Sequence, residues 1–180
     1  MRFNIFVVIL SVASALSLST PFKRDVDTVK ADIAAIQDQI KALEINVAAL
    51  LNTGGTLAAV SLIRNTANDL DTLIQKTISD TQATPAFSQT DGGIILTSFE
   101  SFVPTLSRVL VLLVEKKSAF DALGGVSALQ ILQEFKNLNA DIPSLVDALI
   151  AKFYADQIAR LLEFRTKITL NFATFINAII

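Results

Sequence analysis

Few residues in this chain have types and spacings that admit chemistry. Two carboxylate pairs, Asp25 with Asp27 and Asp69 with Asp71, could in principle supply an acid and a base. That chemistry needs two carboxyls in environments that push their pKa values apart. Residues two apart on a helix do not face each other, so both pairs read as caps and solvated faces. Thr53-Gly54-Gly55 and Gly124-Gly125 are the glycine pairs. Neither has the spacing or the Lys-Ser/Thr of a phosphate loop, and a helix stop accounts for each. Lys116-Lys117 offers cations to an anionic headgroup, although positive charge is also favoured near any helix C-terminus. Arg165 falls inside an apolar stripe, between Leu161 and Ile168. Two roles suit it: pairing with a carboxylate at the mouth of an apolar pocket, or snorkelling with its head in water.

What is missing narrows the field further. The 180 residues include no His, Cys or Trp. Zinc, haem and iron–sulfur sites lose their usual ligands, and no nucleophile has a histidine base beside it. The chain is therefore expected to need no cofactor or metal and to carry no catalytic residue. Charge is nearly balanced, 15 basic against 17 acidic residues, which argues against a nucleic-acid partner.

Arg2 followed by an apolar run from Ile5 to Leu16, with Ala13-Ser14-Ala15 as a small-x-small site, predicts a secretory leader over 1–15. That run is too short to span a bilayer. Lys23-Arg24 is a dibasic pair with two readings: a processing site that ends a propeptide at 24, or two solvated charges. Removal of Arg2, Lys23 and Arg24 leaves 12 basic residues against 17 acidic, a charge of −5. Residues 25–180 are expected to form one domain, large enough to be held by its core without disulfides. No transmembrane segment is expected in that mature part. The protein should be extracellular or loosely associated with a cell wall.

The elements that must position any site are helices. Val26, Val29, Ile33, Ile36, Ile40, Leu43, Val47 and Leu50 alternate spacings of three and four, an unbroken amphipathic seam. A second stripe runs through Leu57, Val60, Ile63, Ala67, Leu70, Ile74 and Ile78, and frays ahead of Pro85. A third begins near Ser88 to Asp91 and runs Ile95, Phe99, Phe102, Leu106, Val109, Leu110, Leu113, Phe120, with Pro104 inside it and a kink expected there. Its segment from Val109 to Val114 is apolar all round and is expected to be the most buried part. A fourth covers about Ser127 to Lys152, with Leu129, Leu132, Phe135, Leu138, Leu145 and Leu149; Pro143 would kink or restart it. A fifth covers about Ala155 to Ile179, with Ile158, Leu161, Leu162, Ile168, Phe172 and Phe175. The fold class is all-α, an up-and-down bundle of about five long amphipathic helices.

Apolar residues make up 52% of the chain, and twelve of them are Phe. Part of this must be core. Long helices joined by short loops also enclose a longitudinal space, a common ligand site. The candidate lining is Ile36, Ile40, Leu43, Ile63, Leu70, Ile74, Leu106, Leu110, Leu113, Leu132, Phe135, Ile168 and Phe172, with Arg165 and Lys117 as candidate headgroup contacts. The expected partner is a fatty acid or other lipid, or a hydrophobic solid surface. The alternative is a structural or effector protein with a filled core that acts through a protein partner at its surface.

The run Asp27-x-x-x-Ala31-Asp32-Ile33-x-x-Ile36-x-x-x-Ile40-x-x-Leu43 resembles the opening helix of the fungal hydrophobic surface binding protein A family, which includes the cell-wall galactomannoproteins. Ser88-x-x-Asp91, Leu113-x-x-Lys116-Lys117-x-x-Phe120 and the ending Ile168-x-x-x-Phe172-x-x-x-Ile176 are similar to later parts of it. The likeness covers about Asp25 to Ile180, together with the leader and dibasic site. It implies a five-helix bundle, extracellular or in the wall, that binds hydrophobic surfaces or holds fatty acids in a central cavity. The chain departs from the family at Phe153-Tyr154, where a proline is frequent, and it lacks the Ser/Thr-rich tail of many galactomannoproteins.

Overall fold

A computed structural model describes residues 25–53, 55–123 and 125–179. The leader over 1–15, the propeptide to 24 and Lys23-Arg24 lie outside the described residues. Among the described residues six helices follow in order: α1 Val26–Thr53, α2 Leu57–Ala83, α3 Gln89–Glu115, α4 Lys117–Ala122, α5 Gly125–Ile150 and α6 Ala155–Ile179. Among the described residues there is no strand.

Local chemistry sets the helix starts. The Asp25 carboxylate accepts from the Thr28 N–H at 2.9 Å, and that bond holds its pKa below the ordinary value. Thr56 accepts from the Ala59 N–H at 3.1 Å. Ser88 accepts from the Asp91 N–H at 3.0 Å and donates to the Asp91 carboxylate at 2.6 Å. Each cap satisfies one of the orphan donors of a first turn. Gly55, at φ +74°, makes the turn between α1 and α2 with a conformation that side chains resist.

Helices α3 and α5 both run unbroken past a proline. Pro104 is exposed, so its missing hydrogen bond falls on the solvent side. The break in the third segment comes later, at Lys116, whose backbone turns off the helix. The apolar stretch expected to continue to Phe120 is therefore two helices, with α4 the short second one.

Five long helices close a ring in the order α1, α2, α5, α6, α3 and back to α1. Polar contacts fix each seam. Lys30 pairs with Asp91 at 2.5 Å and Glu44 with Arg108 at 3.2 Å between α1 and α3. Lys76 reaches Asp32, and Asn46 donates to Thr66 at 2.8 Å, between α1 and α2. Arg64 meets Glu134 at 3.5 Å between α2 and α5. Glu100 pairs with Arg160, and Asn171 donates to Ser107 at 2.6 Å, between α3 and α6. Arg165 pairs with Asp147 at 3.0 Å between α5 and α6. The chain runs up and down, yet the α1–α3, α2–α5 and α3–α6 seams are parallel, because successive contacts rise together in number along both helices.

A few stripe positions differ from expectation. Leu57, Leu129 and Leu162 are exposed, as is Val111 in the run expected to be fully buried. Leu57 is the first residue of its helix. Leu161, adjacent to Leu162 and buried, takes the inward direction. Val111 shows that an all-apolar run still presents one face outward. By length and composition α3 is apolar enough to cross a membrane; in the ring it buries Ile95, Phe99, Phe102, Leu106, Val109 and Leu113.

Candidate functional site

All thirteen candidate lining residues are buried and belong to one apolar cluster at the centre of the ring. Their helices bring them there from every side: Ile36, Ile40 and Leu43 from α1; Ile63, Leu70 and Ile74 from α2; Leu106, Leu110 and Leu113 from α3; Leu132 and Phe135 from α5; Ile168 and Phe172 from α6. The Phe135 ring lies 6.5 Å from Phe172 and 5.2 Å from Phe175.

The interior is closed. A crevice walled by Leu113, Lys117, Phe120, Ile131, Phe175 and Ile179 has about 10 Å³ of internal space, room for at most one water. A second hollow of about 110 Å³ lies beside it, lined by Ser107, Leu110, Val111, Val114, Asn171, Thr174 and Phe175. Both sit at the end of the ring that carries α4.

Lys117 stands at the rim of the crevice, its ammonium 3.3 Å from Asp121 and its side chain 40% exposed. Arg165 lies elsewhere. It pairs with Asp147 and borders a shallow outer groove with Pro143, Thr166, Thr169, Leu170 and Ala173. The structure thus brings Lys117 to the apolar interior and leaves Arg165 on the outside. Phe120, Ile131, Phe175 and Ile179 complete the crevice. The 3.6-residue pattern marks Phe120 and Phe175 as inward but not Ile131, which takes the buried place expected of Leu129, and it does not say which residues share an end.

The two ends of the ring differ in character. At the end holding the α2–α3 and α5–α6 links, six of the seven buried polar residues among the described ones gather: Asp32, Thr77, Asp80, Thr81, Thr84 and Gln157, with Thr66 the exception. Lys76 bridges Asp32 and Asp80 at 2.5 and 2.9 Å. Burial, helped by the Asp80 carboxylate, still raises the Asp32 pKa against the pull of Lys76. Lys152 donates to the carbonyls of Gln82 and Thr84 at 3.0 and 2.7 Å, and Phe87 N–H donates to Lys152 C=O at 2.9 Å. Gln157 donates to Gln89 C=O at 3.0 Å. A β-carbon on Gly92 would come within 2.4 Å of the Gln157 side-chain amide, so a larger residue there would displace that amide. Midway along, Asp71 faces Asp141 across α2 and α5. Burial and that second carboxylate push the Asp71 pKa up to about 6. Gln75 donates to both carboxylates, at 3.2 and 2.8 Å. Spacing within one helix offered no sign of this pair, because its members are 70 residues apart.

Among the described residues, no group of three or more acidic, His or Cys side chains is placed to hold a metal. The family described as hydrophobic surface binding protein A matches residues 26–151. Among solved structures, AfMP4P in complex with palmitic acid is similar at a TM-score of 0.81 and 21% identity, over 87% of this chain and 100% of that one. Ligand binding domain 1 of Penicillium marneffei MP1 protein, complexed with arachidonic acids, is similar at 0.77 and 14%, over 87% and 99%. Ligand binding domain 2 of the same protein, with multiple arachidonic acids, is similar at 0.76 and 14%, over 88% and 97%. At these identities the likeness establishes the fold. No curated protein matches the chain.

Proposed function

Because the chain belongs to the hydrophobic surface binding protein A family, we propose that it is a secreted, non-enzymatic carrier that takes the alkyl chain of a fatty acid between its helices. The observation that carries this reading is the closed five-helix ring around an axis of Ile, Leu and Phe side chains. The same ring in AfMP4P and in the MP1 domains is described with palmitic and arachidonic acids. The thirteen lining residues named above are the proposed contacts. Residues 1–15 serve as the export leader in this reading, and the mature protein is extracellular or loosely wall-associated.

A chain of sixteen carbons does not fit into the closed interior, so binding requires the helices to part. The drive is apolar burial, about 0.8 kcal/mol per CH₂. The opposing cost is the packing given up along the axis. Helices of this length, roughly 40 Å at 1.5 Å per residue, leave ample room lengthwise. Exposed large apolar residues are spread over all five long helices (Ile45, Leu62, Ile94, Leu129 and Leu170 among them). Adsorption to a hydrophobic solid is then a matter of the ring opening rather than of one flat patch.

Native mass spectrometry of the secreted protein with palmitate tests the reading. A 1:1 or higher complex that survives desalting is expected. The filled interior favours a second reading, a structural or effector protein acting through protein contacts. Failure to bind palmitate, together with no partition onto hydrophobic beads, would leave that reading in place of the first.

A further inference from the structure

We propose that the α4 end of the ring is the port for the ligand, with α4 as its lid and Lys117 as the cation that receives a fatty-acid carboxylate. This deepens the fatty-acid reading and rests on it.

The interior near this end is apolar. Among the described residues, six of the seven buried polar residues lie toward the opposite end; the seventh, Thr66, is paired with Asn46 and with the Leu62 carbonyl, and Leu110, Leu113, Phe120, Ile131 and Phe175 close this end. An alkyl chain entering here meets no buried polar group that it would leave unpaired. The crevice at Lys117 and the hollow beside it share one wall, Phe175. A rotation of that ring joins them, and its neighbours Phe135 and Phe172 lead on toward the axis.

The lid is weakly tied. Helix α4 has six residues and no side-chain cap at its start, too short to hold its shape without docking. Among the described residues, the side-chain ion pair on α4 is internal, Lys117 with Asp121. Docking rests on Phe120, 2% exposed, and on Leu123 packed against the core. Lys117 has three donors and one carboxylate neighbour, so an arriving carboxylate finds donors to spare. That selects a chain with an anionic head over a neutral one.

Two variants test this. A β-carbon at Gly55 would lie 3.6 Å from Ala119 Cβ, within disulfide range, and the chain has no cysteine of its own. The Gly55→Cys, Ala119→Cys protein bolts α4 to the α1–α2 turn when oxidised and frees it when reduced. Any strain at Gly55 is present in both forms. Palmitate uptake should be at least about tenfold slower in the oxidised form; equal rates overturn the lid. Lys117→Ala should weaken palmitate roughly tenfold while leaving hexadecanol unchanged; an equal effect on both, or on neither, overturns the headgroup role. Unmodified protein that binds neither palmitate nor hexadecanol removes the fatty-acid reading and the port together. Binding that ignores both the bolt and Lys117 removes the port alone.

Discussion

The two ends of the helix ring are built from different materials. One is stitched by hydrogen bonds that cross between links: Lys152 to two carbonyls, Phe87 to the α5–α6 turn, Gln157 to α3, and Lys30 to Asp91. Phe87 and Phe153 stack edge to face there at 5.3 Å. The other end is covered by a short helix lying on apolar side chains. Directional bonds hold one geometry, whereas apolar docking tolerates sliding and release. Under the proposed function, the stitched end would keep the ring together while the other end opens.

The largest effect should erase the contrast altogether. Leu110, 2% exposed, faces the common axis, and Leu110→Asp would bury an unpaired charge. Loss of the folded state at both ends is expected, read by circular dichroism. A soluble, fully helical variant with unchanged melting would contradict the burial of α3.

At the stitched end, Lys152→Met strands the part-buried Thr84 carbonyl and removes the bond to that of Gln82. Global stability should fall by about 1–3 kcal/mol in denaturant titration. At the lidded end, Phe120→Ala should cost about 1–2 kcal/mol, less than the 3–5 usual for Phe in a rigid core. The docking energy of a segment that detaches on its own caps what its mutation removes. Hydrogen exchange should quicken in α4 and leave the Lys152 region unchanged; equal quickening at both ends would undo the comparison.

The smallest effect belongs to the middle of the ring. Asp71 binds its proton more tightly folded than unfolded, since its pKa rises from 3.8 to about 6. Its ionisation therefore destabilises the fold progressively as pH rises from about 4 to about 6, and fully above that. Asp71→Asn should remove that slope and stabilise the protein at pH 7 by roughly 1 kcal/mol, allowing for solvent screening. Unfolding free energies of both proteins at pH 4 and pH 7 measure it.

The amino-acid sequence made the long helices legible because each carries its own 3.6-residue record of which face is buried. The helix starts were legible only in part: the Asp25-Asp27 pair reads as a cap, and the third start narrows to Ser88 to Asp91, of which Ser88 is the cap. Ring order was not legible. A stripe records that Leu70 is buried but not that α2 lies against α5 as well as α1. The break at Lys116 leaves no mark in the sequence, because the apolar spacing continues through it to Phe120. Arg165 looked like Lys117 in sequence, a cation on or beside an apolar stripe. What separates them is a partner on another helix, Asp147 for the one, and an open rim over the core for the other.

Isotope-filtered NOE spectroscopy of the protein with ¹³C-palmitate tests the central claim most directly. Cross-peaks from the methylenes to Phe135, Phe172 and Leu113, with the carboxylate end near Lys117, are the predicted result. Cross-peaks confined to exposed residues such as Ile45 and Leu62 would contradict it.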